Sequence, residues 1–314
     1  MRIKTIRDSS VEEINRSADA FINACGYEAR ACSLARRLVP RVNHRTSIAF
    51  KEWNADLSRP ENETYLRNAG FELVESGGGE SRTCADVLSG LIQQSEIRSI
   101  AIDISSMTRS WHGGLVRALR STNRESELDT YFAYTPAMFS PPPKHGSINE
   151  VVAPVEGFAS LVTPDLPIAL IVGLGYEKDR AIGLQQLLDP KRTLVMTPRF
   201  RKRVDLFHSA VLKANRELLD AMPQALQFDY WIDEPSATFG QLASIVSGLV
   251  SNYRVVLASL GPKMFGLVCF LLATRLPQLS VWRVSSGIHG KPRQSRPDEK
   301  HPVVLKVTWL PEAP

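Results

Sequence analysis

The sequence predicts an α/β protein made of two tandem Rossmann-like domains, each a mostly parallel sheet with helices on both faces. Three observations predict it. Short apolar runs alternate with helical segments along the whole chain. The order of those segments repeats halfway. The block Gly26-Tyr27-Glu28 followed by Arg30 and Ala31 returns as Gly175-Tyr176-Glu177 followed by Arg180 and Ala181. With 314 residues and 43% hydrophobic content the chain can bury such cores. The expected division is a first domain over 1–160 and a second over 161–314.

The elements follow in order. Ala20–Cys25 reads as a first strand that enters a helix through the glycine turn at Gly26, and Ile168–Gly173 does so through Gly175. Ser47–Phe50 and Leu194–Thr197 are second strands. Pro60–Leu66 and Lys213–Leu219 are helices, carrying Asn62 and Asn215. Phe71–Val74 matches Phe228–Ile232 as a third strand, and Ala85–Ile92 matches Gln241–Leu249 as a helix. Ile100–Ile104 and Arg254–Ser259 are fourth strands, each leading into a helix. Thr130–Tyr134 and Leu279–Val284 come next; each precedes a polar loop and a final strand, Val151–Val152 in the first half and Val303–Trp309 in the second.

Right-handed crossovers place ligands at the C-terminal edge of such a sheet, where the first and fourth strands part. There the first half offers Ser105, Ser106 and Thr108 at a helix N-terminus, whose free N–H groups and dipole favour an anion. Arg109 adds a fixed charge suited to phosphate. Ser259, Gly261 and Lys263 occupy the matching place in the second half, with Lys263 where Arg109 stood. These residues are the expected phosphate contacts. Gly26, Tyr27, Gly175 and Tyr176 are expected to shape a base or sugar site, the tyrosines either stacking or closing the turn. Glu28 and Glu177 suit a first helical turn, and Arg30 and Arg180 either reach a phosphate or pair with the neighbouring glutamate.

Asp103 ends the fourth strand and reads as a cap, a ribose acceptor or a general acid; Leu257 stands opposite it in the second half. His112 is the histidine placed nearest the crevice. Those two residues carry one alternative reading, a nucleotide-processing enzyme (a ring-nuclease-like phosphodiesterase or a glycosidic-bond hydrolase); the other is a non-catalytic subunit that binds protein or nucleic acid, the latter through Arg199 to Arg203. Gly173-Leu-Gly175 lacks the third glycine of a dinucleotide fingerprint, since Gly183 comes too late, and neither a Walker A sequence nor a nucleophile elbow is present. Cys25 reads as core. The remaining histidines lack ligand spacing, so no metal and no cofactor are expected.

Net charge is +5, with a dense cluster at Arg199, Arg201, Lys202 and Arg203 that can meet nucleic acid. The four cysteines have neither metal nor disulfide spacing and read as reduced. The longest apolar run, Met264–Ala273, is shorter than the roughly 20 residues that cross a bilayer. The N-terminus lacks the apolar core of a signal peptide, so no membrane contact and a cytoplasmic location are expected. Two long Pro/Gly-rich loops, Phe139–Gly146 and Gly287–Lys300, read as lids, partner-binding segments or linkers, and the second is basic enough to cover an anion.

The stretch Asp103-Ile-Ser105-Ser106-Met-Thr108-Arg109 after a strand resembles the signature of the CRISPR-associated Rossmann fold (CARF) sensors, and Gly26-Tyr27-Glu28 is in keeping with it. Proteins of the SAVED type similarly fuse two such units. The resemblance implies a sensor that binds a nucleotide or cyclic oligonucleotide messenger in bacterial antiviral defence. It also implies a protein partner that supplies the output. Ser259-Leu-Gly261-Pro262-Lys263 departs from the hydroxyl-rich pattern.

Overall fold

Ala20–Cys25 and Ser99–Asp103 are buried along their whole length, as strands are when helices cover both faces of a parallel sheet. The computed structural model describes residues 1–38, 42–142, 151–160, 165–177, 179–201, 205–285 and 292–312. They form two units, Met1–Met138 with Lys291–Pro314, and Phe139–Gly290.

In chain order the elements begin with β1 (Arg2–Ser9), α1 (Val11–Ser17), β2 (Ala20–Cys25), a 3₁₀ turn at Ala29–Cys32, α2 (Ala35–Leu38), β3 (His44–Phe50) and α3 (Arg59–Asn68). Then come β4 (Glu72–Ser76), α4 (Ser81–Ile92), β5 (Ser99–Asp103), α5 (Arg109–Ser121), β6 (Leu128–Tyr134) and β7 (Val151–Pro154). The next are β8 (Ile168–Gly173), α6 (Arg180–Leu188), β9 (Arg192–Arg199), α7 (Leu206–Ala214), α8 (Arg216–Asp220) and β10 (Gln227–Trp231). The chain closes with α9 (Pro235–Ser247), β11 (Arg254–Ser259), α10 (Lys263–Arg275), β12 (Ser280–Ser285) and β13 (Val303–Leu310).

The first unit's sheet runs β1-β13-β6-β5-β2-β3-β4 and the second's β10-β9-β8-β11-β12-β7. β2 through β6 pair in parallel, as do β8 through β12. Both sheets therefore have the Rossmann order, with the first and fourth strands adjacent (β2 beside β5, β8 beside β11). The tandem Rossmann-like class is what the structure shows.

The final strands depart from expectation: they are exchanged. β13, which follows the second unit in sequence, pairs antiparallel with β6 and β1 in the first sheet. β7, which follows the first unit, pairs antiparallel with β12 at the edge of the second. Their compositions account for it. Val303–Leu310 has a nearly continuous apolar run that needs neighbours on both sides, whereas Val-Val-Ala-Pro is short, half-buried and ends in a proline, which suits an edge. β1 has no counterpart in the sequence reading. Ile3 and Ile6 are its only apolar residues, so this polar edge strand carries little periodicity.

A polar cluster ties the outer strands together. The Glu13 carboxylate accepts from the Arg7 guanidinium, from Ser9 Oγ (2.8 Å) and from Tyr131 Oη (3.2 Å). Lys306 Nζ of β13 lies 3.5 Å from Glu13 and 2.6 Å from Asp129. Arg7, by its hydrogen bond, holds the Glu13 pKa at about 2, against an ordinary 4.5. A carboxylate depressed in the folded state stabilises above its unfolded pKa and loses that contribution as it protonates. The first unit is therefore expected to lose stability between pH 4.5 and about 2. In urea unfolding at stepped pH, Glu13→Gln should lower stability at pH 7 and flatten that decline.

Candidate functional site

In the first unit the turn after β2 and the loop after β5 meet at the C-terminal edge of the sheet. Gly26 packs between them: a Cβ there would make ordinary contacts, 3.4 Å from Ser106 Cβ and 3.6 Å from the Phe50 ring. Asn62, buried on α3, shapes the turn by donating Nδ2 to the carbonyls of Gly26 and Glu28, each at 2.9 Å. The Glu28 carboxylate accepts from Arg30 Nε (3.0 Å) and Nη2 (3.1 Å) and from Ser106 Oγ (3.3 Å). Arg30 Nη1 also donates to the Thr135 carbonyl at 3.3 Å, which links this turn to the end of β6. Burial alone would lower the Arg30 pKa; the Glu28 charge and Tyr134 outweigh it and raise it. Burial, then the Glu28 charge, pushes the neighbouring Tyr27 phenol up to about 12.

Beneath that cluster, Asp103 is 2% exposed and its Oδ1 accepts from the Ser105 amide (2.9 Å) and the Ser105 hydroxyl. The Ser105 Oγ in turn accepts from the Thr135 amide at 2.7 Å. Ser105 is fully buried and its hydroxyl pins β6 to the β5 loop, so it does not face the edge as a phosphate contact would. Thr108 caps α5: its Oγ1 accepts from Trp111 N (3.2 Å) and donates to Gly78 O (2.7 Å). The Trp111 ring stacks on Phe50 at 4.2 Å, and its Nε1 donates to Gly77 O at 3.0 Å. Arg109, half-buried, is the first residue of α5. His112 differs from expectation. It is 0% exposed, on the face of α5 turned to the core, because Trp111, Leu115 and Val116 carry that helix into the interior. The buried thiols are raised as well, Cys25 to about 11 and Cys32 to about 12, chiefly by desolvation, so both stay protonated at neutral pH.

The second unit repeats part of this geometry. Asn215 Nδ2 donates to Gly175 O at 2.7 Å, as Asn62 does to Gly26, and Arg180 Nη1 lies 3.3 Å from Glu177 Oε1. Tyr176 packs edge-on against Phe207 at 5.4 Å. The loops, however, lock onto one another. A Cβ on Gly175 would lie 2.2 Å from Leu260 O, and one on Gly261 2.1 Å from Leu174 O. A Cβ on Gly173 would meet the Phe265 ring of α10 at 2.3 Å. These glycines serve close backbone and helix packing, and no crevice opens between the two loops at that point. The Ser259 hydroxyl is buried and has no hydrogen-bond partner among the described residues. Strand register also moves one equivalence. Ile22 faces Ile102 and Ile171 faces Leu257, so with Gly26 matched to Gly175, Asp103 corresponds to Ala258 rather than Leu257. Counted from the equivalent positions Asp103 and Ala258, the path to the next helix is one residue shorter in the second unit, and Lys263 still opens α10 as Arg109 opens α5.

In the basic cluster, Arg199 pairs with Asp229 at 2.8 Å, and Arg201 pairs with Glu234 at 3.2 Å while stacking 4.4 Å over Trp231. Those carboxylates offset the positive potential there. Lys202 and Arg203 lie outside the described residues. Among the described residues no helix is long and apolar enough to cross a membrane.

Thus Gly26, Glu28, Arg30, Asp103, Ser105 and Ser106 come together at one edge, and Thr108 and Arg109 border it. Gly175 and Gly261 meet face to face instead. Sequence reasoning missed Thr135, Asn62 and Asn215 as shaping residues, although both asparagines stood in matching helices of the repeat. Removing either asparagine leaves a buried carbonyl without its donor, which costs about 1–3 kcal/mol. Thermal melts of Asn62→Ala and Asn215→Ala should both fall, each in its own unit's transition.

No family model and no curated protein matches the chain. Among solved structures, a putative universal stress protein from Pseudomonas aeruginosa UCBPP-PA14 is similar at 8% identity and a TM-score of 0.28, over 87% of this chain and 96% of that one. A structure described as AtPrR2 with NADP+ and (+)pinoresinol is similar at 8% identity and a TM-score of 0.26, over 72% of this chain and 82% of that one. Likenesses of that size carry no argument about ligand or activity.

Proposed function

We propose that the first unit is a sensor that binds a phosphorylated nucleotide at the C-terminal edge of β2 and β5. The observation that carries this reading is the buried Glu28–Arg30–Ser106 cluster at the point where the first and fourth strands part, beside the capped N-terminus of α5 that Arg109 opens. A buried ion pair is a weak source of stability, and such charged clusters concentrate at functional sites. The CARF resemblance of Asp103–Arg109 adds a cyclic oligonucleotide as the ligand class. It adds antiviral defence as the setting and a protein partner for the output. The second unit, with its loops locked glycine to carbonyl, serves as a scaffold in this reading. The alternative, cleavage of a nucleotide by Asp103 and His112, is disfavoured because both side chains are buried beneath the edge.

The test is a thermal-shift panel of nucleotides and cyclic oligonucleotides, preceded by mass spectrometry of what co-purifies. A ligand that binds the native state alone raises the melting temperature by mass action. Arg109→Ala should weaken that ligand about tenfold or more, the scale of a charge-assisted hydrogen bond. A panel without any shift, or equal affinity in the variant, would contradict the proposal.

A further inference from the structure

The residues just before β13 do not run free to their strand. On one flank the segment Pro292–His301 makes a separate antiparallel bridge to the chain just after β6, beyond the end of the β6–β13 ladder. Met138 N donates to Arg296 O (2.9 Å), Asp298 N donates to Pro136 O (2.8 Å), and Ala137 bridges Pro297. On the other flank it reaches the turn after β2. The Gln294 carboxamide oxygen accepts from Ala29 N (2.8 Å), and its Nε2 donates to Ser58 Oγ (2.7 Å). Ser33 Oγ and an Arg37 guanidinium nitrogen donate to Glu299, each at 3.3 Å. β5 lies between β6 and β2 in the sheet, and all three strands end at the same edge. A segment fastened on both sides therefore crosses above the end of β5, where Ser105, Ser106 and Thr108 lie.

From this placement we infer that Pro292–His301 is a lid over the first unit's site, hinged at the bridge after β6 and latched at the β2 turn by Gln294. The two flanks differ in kind. The hinge is backbone paired with backbone, reinforced by the Ser33 and Arg37 bonds to Glu299, and it leads within a few residues into the buried strand β13. The latch is made of side-chain bonds at the surface, where water competes for every partner. Opening breaks the latch first and leaves β13 in place. Arg293, Arg296 and Lys300 ride on the lid with Asp298 and Glu299, so closure brings a net charge of only +1 over an anionic ligand. The role as cover for a ligand rests on the nucleotide reading; the latch itself does not.

Limited trypsin digestion of the ligand-free full chain tests the latch, so its outcome is independent of whether any nucleotide binds. Within the segment, Lys291 and Arg296 precede prolines and resist cleavage, which leaves the Arg293–Gln294 bond on the latch side and Lys300–His301 on the hinge side. Gln294→Ala is expected to speed cleavage after Arg293 about five- to tenfold, the factor given by loss of hydrogen bonds of ordinary strength. Cleavage after Lys300 should stay unchanged. Ser58→Ala removes one of the two Gln294 bonds without altering the cleaved sequence and should act in the same direction to a smaller extent. Unchanged cleavage after Arg293 in both variants would overturn the lid, as would acceleration at both bonds together, which means that the whole segment melts.

Discussion

Ending the chain at Lys300 is expected to unfold the first unit while the second keeps its native transition. The deletion removes β13, which is an interior strand between β6 and β1 despite lying at the end of the chain. Val303, Val304, Leu305, Val307 and Trp309 are all buried, and the Trp309 indole donates to Thr130 Oγ1 at 2.8 Å. Burying each such side chain contributes about 1.5–3 kcal/mol. Five of them together match the whole stability of a domain, about 5–15 kcal/mol. β1 would lose the strand it pairs with, and β6 would become an unpaired edge. Calorimetry should show the loss of one transition, and proteolysis should digest the first unit and spare 151–285. Two intact transitions in the shortened chain would mean that β13 is dispensable to its sheet.

Gly261→Ala should have the second-largest effect, on the other unit. The new Cβ would lie 2.1 Å from Leu174 O, and the atom it meets is backbone, which cannot swing away as a side chain would. Overpacking typically costs about 1–3 kcal/mol, and a clash against fixed backbone belongs at the top of that range. Gly183 on α6 and Gly240 on α9 are the controls, since a Cβ at either meets nothing within 4 Å. Alanine there should stabilise by about 0.5–1 kcal/mol through helix propensity. Melting of the second unit should fall for Gly261→Ala and rise slightly for the two controls. A neutral Gly261→Ala would show that the loops after β8 and β11 are not locked together.

The parallel cores were legible because buried strands announce themselves. Ala20–Cys25, Ile100–Ile104, Ile168–Gly173 and Arg254–Ser259 are short apolar runs ahead of glycine or hydroxyl turns, and all correspond to central strands, the second of them as Ser99–Asp103. The repeat supplied the rest of the order. The partners of the final strands were not legible, since periodicity fixes which face a strand buries and says nothing of which neighbour it pairs with. β1 escaped because an edge strand with two isoleucines resembles a polar loop. At the candidate site, the short motif placed Ser105, Ser106 and Thr108 on the loop between β5 and α5. It did not show that Ser105 turns inward to Asp103 and Thr135, nor that α5 carries His112 into the core. Those facts depend on side-chain direction and on Thr135, a residue from a different strand. From the sequence Gly175 and Gly261 read as ligand-facing; their packing against the Leu260 and Leu174 carbonyls depends on neighbouring backbone that no motif encodes.

Hydrogen exchange of the full chain, with and without a cyclic oligonucleotide that shifts its melting temperature, tests the central claim most directly. If the nucleotide sits at the first unit's edge, the amides of 104–110 and 26–30 become protected, and those of 259–264 do not change. Protection confined to the second unit, or spread equally over both loops of the repeat, would contradict the assignment of the ligand to Glu28, Arg30, Ser106 and Arg109.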